Sequence, residues 1–405
     1  MKPIVRAGRM KPVHSDIRGP LFVEAMKRQK QGIDILKLNT GNPATFGFGL
    51  PDSIKNALME HMQDGVGYCD FKGMPQARQA ICDYETSKGI KGITPDDVFI
   101  GNGVSEVVSF ALTPLLNDGD EVLVPSPSYS LWGNSVYLED GKPVFYTCDE
   151  QANWYPDIQD IRSKITDKTE AIVIINPNNP TGVLYPKELL LEIIQIARES
   201  GLLIFADEIY DRLVMDGKQH ISLASLTEDV PVITLNGLSK SHCLCGYRCG
   251  WMVISGPREL TEDYRQGIIQ LTSLRLCANT MAQIVIPAAL DDMETPASMV
   301  RPGGRIYEQR EATVRELEKI DGLSFVKNDA AFYVFPKLDV KKFNITNDKQ
   351  FAHDLLDVTN ILLVPGSGFD WKDPDHFRIV MLPQADILSD AIRRMGTFLD
   401  GYKQK

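Results

Sequence analysis

The sequence predicts an α/β protein in which a mostly parallel sheet lies between helices, with a smaller α+β domain attached. Two patterns carry this expectation. From about Val98 to Ile254, short apolar runs alternate with amphipathic ones, and strands alternating with helices imply βαβ units. Several of those runs, Ala171 to Ile175 among them, are apolar at every position, as in strands buried on both faces.

Val98 to Gly101 reads as the first strand. Val104, Val107, Val108, Ala111, Leu112 and Leu115 then recur at helical spacing. Glu121 to Val124 is a strand ended by Pro125, and Val144 to Tyr146 is another, followed by a helical segment near Ile158 to Ile165. After Ala171–Ile175 comes a helix over Lys187 to Glu199, with Leu190, Ile193, Ile194 and Ala197 on one side. Leu202 to Ala206, Val232 to Leu235 and Trp251 to Ile254 complete seven strands. Pro302-Gly303-Gly304 is a breaker. Beyond it lie a charged helix (Arg305 to Ile320) and short strands near Ala331 to Phe335 and Arg378 to Met381. We therefore expect a large domain over residues 45–295 and a small one built from 1–44 and 296–405.

At 405 residues the chain is long enough for two or three domains. Its net charge of −11 argues against a nucleic-acid partner, which needs a basic patch. No apolar run approaches the roughly 20 residues of a membrane-spanning helix, and no apolar stretch follows the basic N-terminus as in a secretory signal. The seven cysteines are an odd number without framework spacing, which suits reduced thiols in a cytoplasm. Cys243, Cys245 and Cys249 cluster, but their spacing lacks paired C-x-x-C and a fourth ligand, so no metal is expected.

Ligands on open α/β sheets sit beyond the carboxyl ends of the strands. Here those ends read Asn102, Pro125, Asn176, Asp207 and Ser239-Lys240. A lysine straight after a buried strand is either a solvated loop residue or, with a lowered pKa, a group that condenses with a carbonyl cofactor. Asp207 is either a helix N-cap or a buried carboxylate that needs a cationic partner. Asn176-Pro177-Asn178-Asn179-Pro180-Thr181-Gly182 is a rigid turn that presents amides at the sheet edge. Gly101-Asn102-Gly103-Val104-Ser105 joins a strand to a helix start, either an ordinary βα turn or a phosphate seat. Arg248, eight residues after Lys240, supplies charge for the same phosphate.

In order and spacing these pieces resemble the class I and II aminotransferases of fold type I, the aspartate-aminotransferase-like group, over about Lys37 to Phe398. The most specific match is Ser239-Lys240 followed by Gly246-Tyr247-Arg248-Cys249-Gly250-Trp251. Asp207-Glu208 followed by Tyr210 and the Asn-Pro-Asn-Asn-Pro-Thr-Gly turn are also typical. Leu38-Asn39-Thr40-Gly41-Asn42-Pro43, Gly67-Tyr68-Cys69-Asp70 and Gly101–Glu106 look most like the bacterial alanine aminotransferases.

The resemblance implies pyridoxal 5′-phosphate as cofactor, a seven-stranded large domain, and a homodimer with shared active sites. It implies Lys240 as the Schiff-base lysine and proton shuttle. Asp207 would face the pyridine nitrogen, Tyr210 and Asn179 the phenolic oxygen, and Tyr129 the ring face. Val104, Ser105, Ser239 and Arg248 would cradle the phosphate, joined by Tyr68 from the other subunit. Arg378, Asn179 and Gly41 would receive the substrate's α-carboxylate. Arg18 or Arg275 would meet a distal carboxylate, and Asp16–Pro20 would form a mobile lid. The implied reaction is transamination of a small amino acid with a 2-oxo acid, most simply L-alanine with 2-oxoglutarate. Open alternatives are transamination of aspartate, valine or aromatic amino acids, a β-lyase or ring-forming synthase on the same fold, and a cofactor-binding regulatory domain. The last would need a DNA-binding module ahead of the pattern. A nicotinamide enzyme is disfavoured for want of G-x-G-x-x-G after the first strand.

Overall fold

The computed structural model describes residues 2–405. Its central sheet has eight strands: β1 (Val98–Gly101), β2 (Glu121–Ser126), β3 (Lys142–Asp149), β4 (Tyr155–Pro156), β5 (Thr169–Ile175), β6 (Leu203–Asp207), β7 (Val232–Gly237) and β8 (Gly250–Ser255). They lie in the order β1-β8-β7-β6-β5-β2-β3-β4. The seven expected strands are all present. The eighth, β4, is a two-residue strand antiparallel to the end of β3, too short to leave an apolar pattern. β8 is antiparallel to both neighbours, and the pairings across β7, β6, β5, β2 and β3 are parallel.

The apolar runs become strands because helices cover both faces. Val107, Val108, Leu112, Val124, Phe205 and Ile268 share one core layer, and Leu123, Ile172, Ile193, Ile194 and Ile204 share the other. Burying each such side chain contributes about 1.5–3 kcal/mol. The helix Val104–Leu112 stops before the expected Leu115, because Pro114 has no N–H to continue the i→i−4 ladder. Pro125 lies inside β2 instead of ending it. β5 pairs with β2 only as far as Leu123, so the missing N–H of Pro125 breaks no ladder bond on that side.

The C-terminal part packs the helices Arg305–Leu317 and Ala385–Leu399 together. Beside them Tyr333–Val334, Phe377–Val380 and Val364–Pro365 form a three-stranded sheet. Leu36–Lys37 runs parallel to Ile361–Leu362, and the Val380 N–H donates to the Leu38 carbonyl (3.0 Å). The N-terminal segment is thereby stitched to residues more than three hundred positions later. Gly182, at the end of the Asn-Pro turn, accepts from the Asp329 and Ala330 N–H groups (3.0 and 2.8 Å), which sets Phe377–Val380 beside that turn. No single helix among the described residues is long and apolar enough to cross a membrane.

Candidate active site

β7 leaves the sheet at Gly237 and β8 re-enters at Gly250, its Cα partner. Because β8 is reversed, its first residues lie at the same sheet edge as the last residues of β1, β5, β6 and β7. Lys240 and Arg248, both in the connection, are therefore delivered to one edge together with Asn102, Asn176 and Asp207.

The Lys240 ammonium donates to the Gly41 carbonyl (2.9 Å) and lies 4.0 Å from the Cys245 Sγ. Burial works to lower its pKa, but Tyr333, Cys245 and Tyr129 favour the charged form, and the net direction is upward. This corrects the expectation of a lowered pKa: without a cofactor, the surroundings hold the amine protonated. Gly41 has to be glycine, since a Cβ there would stand 2.3 Å from the Tyr333 hydroxyl and 2.9 Å from the Phe332 ring. Ser239 precedes Lys240, and its carbonyl accepts from the Cys245 thiol (2.9 Å).

Asp207 closes β6 and is buried. Its Oδ2 accepts from the Trp132 indole N–H (3.0 Å) and its Oδ1 from the Ile209 N–H (3.4 Å). Trp132 is itself set by a tilted contact with Phe205 at 5.4 Å. Burial pushes the Asp207 carboxyl up to about 6, since no cation among the described residues offsets its desolvation. The loop after Asp207 is fixed from beneath. Asp211 Oδ2 accepts from Tyr84 (2.5 Å), Asn236 (2.7 Å) and Lys88 (3.2 Å), which ties this loop to the end of β7.

Val104 and Ser105 start a nine-residue helix, where the first N–H groups have no intrahelical partner. Arg248 reaches over them, with Nη2 donating to the Ser105 Oγ (3.2 Å) and Nη1 to the Cys245 carbonyl (2.9 Å). Gly103 takes φ +87°, and a Cβ on it would lie 2.2 Å from Arg248 Nη2. Backbone N–H groups, a hydroxyl and a guanidinium thus converge on one hollow, the donor set a phosphate requires.

Arg378 is 1 % exposed. Nη1 donates to the Asn179 Oδ1 (2.9 Å) and Nη2 to the Asn39 carbonyl, while Nε has no partner. Its guanidinium lies between the rings of Tyr333 (4.5 Å) and Phe369 (4.6 Å). Burial lowers its pKa, and no carboxylate among the described residues pairs with it. Tyr210 does not meet Asn179; its hydroxyl bonds that of Tyr333 (2.9 Å), and burial raises its pKa. Tyr129 is 37 % exposed and near enough to Lys240 and Arg378 to act on both charges.

Other sequence-predicted positions fall outside this cluster. Tyr68 is 84 % exposed and makes no side-chain hydrogen bond among the described residues. Arg275 is engaged elsewhere, donating to Glu106 (2.7 Å), the Phe71 carbonyl (3.1 Å) and the Ile100 carbonyl (3.2 Å). These bonds hold the loop after β1. Arg18 has no ion-pair partner among the described residues and lines a cavity of about 400 Å³ with Thr40 and Asn42, the neighbours of Gly41. The Asp16–Pro20 segment, the expected lid, is tied to other parts of the chain in this conformation. His14 pairs with Asp370 (2.9 Å) and Asp16 (3.6 Å), Asp16 with Lys349 (3.2 Å), and Asn39 Nδ2 donates to the Ile17 carbonyl (2.9 Å). Cys243 and Cys245 do not converge, facing Met299 and Ser239 respectively, and Cys249 is buried.

Sequence reasoning missed Trp132, Phe332, Tyr333 and Asn39. Tyr333 sits in a strand already recognised and Asn39 in a motif already noted, but neither carries a spacing that sets it apart from core or turn.

The residues present fit pyridoxal phosphate. A buried carboxylate lacks a cation, a primary amine stands at the same sheet edge, a hollow of N–H donors and a guanidinium suits a phosphate, and a buried guanidinium with an unpaired Nε suits a carboxylate.

A sequence model of the family described as "Aminotransferase class I and II" matches residues 33–392. The chain is 50 % identical to the glutamate-pyruvate aminotransferase AlaA of Haemophilus influenzae, over the whole of both chains. Among solved structures, an aminotransferase from Escherichia coli superposes with a TM-score of 0.98 at 47 % identity, all of both chains being covered. The alanine aminotransferase of Pyrococcus furiosus superposes with a TM-score of 0.92 at 40 % identity, covering 98 % of this chain and 100 % of that one.

Proposed function

The chain belongs to the class I and II aminotransferases, and from that premise we propose that it exchanges the amino group of L-alanine with 2-oxoglutarate, giving pyruvate and L-glutamate, with pyridoxal 5′-phosphate held on Lys240. The observation that carries this reading is the pair of unbalanced buried charges, Asp207 and Arg378, at the sheet edge that also receives Lys240.

Asp207 would hold a protonated pyridine nitrogen, Arg248, Ser105, Ser239 and the N–H groups of Val104 and Ser105 the phosphate, Tyr210 and Asn179 the phenolic oxygen, and Tyr129 the ring face. Bound there, the cofactor supplies an electron sink for the substrate's Cα. Arg378 turns its open Nε edge to the α-carboxylate, in the two-pronged geometry that a guanidinium offers. That clamp aims the Cα–H bond at Lys240. The amine takes this proton as a base and returns it as an acid, so it has to surrender the extra proton that its surroundings favour when it stands free. Arg18 suits the distal carboxylate of glutamate and 2-oxoglutarate, because its cavity adjoins Gly41.

Tyr68 stands among other exposed apolar side chains, Met59, Met62, Val66, Leu274 and Leu276. A second copy of the chain covering this face, with Tyr68 reaching the partner's phosphate, accounts for that exposure. The free cysteines suit a cytoplasmic setting.

The test is a visible spectrum of the cofactor-loaded protein before and after L-alanine. A band that shifts to a pyridoxamine-like one and returns on adding 2-oxoglutarate is the expected result. Ammonia released without an oxo-acid acceptor would point to a lyase. A response to other amino acids but not to alanine would overturn the substrate, and no band in folded, saturated protein would overturn the function.

A further inference from the structure

Tyr333 joins parts of the site that lie far apart in the chain. Its strand is antiparallel to Phe377–Val380, with Val380 as its Cα partner, so it stands beside the strand that carries Arg378. The Ala331 N–H donates to the Leu213 carbonyl (2.9 Å), which fastens the same stretch to the loop that follows Tyr210. Tyr333 and Tyr210 are both buried. Their rings meet edge to face at 5.7 Å. Their hydroxyls are 2.9 Å apart, and each is the other's one side-chain hydrogen-bond partner among the described residues. The Tyr333 ring also lies 4.5 Å from the Arg378 guanidinium.

A hydroxyl has one hydrogen to give. If Tyr210 spent its hydrogen on Tyr333, it would present only lone pairs to the cofactor. A phenolic oxygen that carries negative charge can only accept, so it selects the opposite order, in which Tyr333 donates to Tyr210 and Tyr210 donates to the cofactor. Hydrogen bonds arranged in such a chain strengthen one another. We propose that Tyr333 is a positioning residue for the reaction: its hydroxyl donates to Tyr210 and thereby turns the Tyr210 hydrogen toward the cofactor's phenolic oxygen. The proposal rests on the assignment of Tyr210 to that oxygen made above. Burial raises the Tyr210 pKa, so the phenol keeps the hydrogen that this order requires. Tyr333 divides its two parts between two neighbours. The hydroxyl serves Tyr210 and the ring face serves Arg378, so the first can be removed while the second stays.

The test is a pH titration of the visible band of the cofactor-loaded protein, without substrate, in wild type, Tyr333→Phe, Tyr210→Phe and the double variant. Pyridoxal phosphate carries its phenolic oxygen next to the carbon that Lys240 takes. A weaker hydrogen bond leaves more negative charge on that oxygen and favours a proton on the Lys240 nitrogen, so the midpoint rises. Tyr333→Phe fills the same volume and keeps the ring against Arg378. Its midpoint should rise by about 0.2–0.7 pH units, the loss of a 10–30 % strengthening in a charge-assisted bond. Tyr210→Phe should raise the midpoint further, and in that background Tyr333→Phe should add nothing, because the hydroxyl it acts through is gone. A Tyr333→Phe midpoint equal to wild type would overturn the proposal even if KM for alanine rose, and so would a shift that adds in full to that of Tyr210→Phe. Either result beside a normal wild-type titration overturns the proposal alone. A wild type with no cofactor band overturns the assigned reaction and the proposal together.

Discussion

Replacing Arg378 separates a substrate clamp from a structural arginine. Its guanidinium is buried without a carboxylate partner and spends Nη1 and Nη2 on Asn179 and Asn39. In Arg378→Met the loss of these two neutral acceptors' partners costs about 1–3 kcal/mol each. Against this stands relief of an unpaired buried charge, also worth several kcal/mol. The two nearly cancel, so the melting temperature should stay within about 3 °C of wild type. Substrate binding behaves otherwise. Two charge-assisted bonds to the α-carboxylate disappear, about 1.5–3 kcal/mol each, which raises KM for alanine at least about 100-fold. Arg378→Lys keeps the charge but offers one prong, so a rise of about 10–100-fold is expected. The assay couples pyruvate formation to lactate dehydrogenase, with scanning calorimetry in parallel. A collapse in stability with KM for alanine unchanged in the surviving folded protein would refute the reasoning.

Three further outcomes follow from the same geometry. Arg18→Ala should raise KM for 2-oxoglutarate about 10-fold and leave KM for alanine unchanged in steady-state assays; equal effects on both would remove Arg18 from the distal subsite. Gly103→Ala forces a backbone meant for glycine and pushes on Arg248, so cofactor affinity measured by fluorescence titration should fall about 10-fold or more, in line with a cost of 1–3 kcal/mol. His14 is held up at about 9 against an ordinary 6.5, chiefly by its bond to Asp16 and then by Asp370. A raised pKa stabilises the fold fully below pH 6.5 and loses that contribution as pH climbs through 9. Because the ring is about a third exposed, the contribution is on the order of 1 kcal/mol after screening. Urea melts of wild type and His14→Ala should therefore differ at pH 6 and converge by pH 10, and a constant gap would count against the pairing.

Much of this site could be read from strand endings. Apolar runs that stop at Asp207 or before Ser239-Lys240 mark the sheet edge, because in a parallel sheet only the polar residue after the run reaches it. Arg248 was legible through its distance from Lys240, a spacing that the reversed strand β8 makes necessary. What escaped depends on contacts between distant segments. Trp132 matters only because Asp207 lies within 3.0 Å of its indole, and nothing in Leu-Trp-Gly-Asn announces that meeting. Tyr333 reads as one more core aromatic until Gly41, Tyr210 and Arg378 arrive around it. The charge state of Lys240 was misjudged because burial was weighed without the phenols and thiol beside it. Arg18 and Arg275 look alike in sequence, and only the fold shows that Arg275 pairs with Glu106.

The stitching of Leu36–Lys37 to Ile361–Leu362 has a consequence for how the protein is made. A ribosome adds about 5–20 residues each second, so Arg378 emerges on the order of ten seconds after Lys240. In that interval the central sheet and its phosphate hollow can assemble, while Gly41 and its neighbours, already synthesised, still await the strand that will hold them. The phosphate hollow of a nascent chain is thus complete in sequence before the arginine that would grip an amino acid. The order in which the two halves of the site can mature is written into the topology.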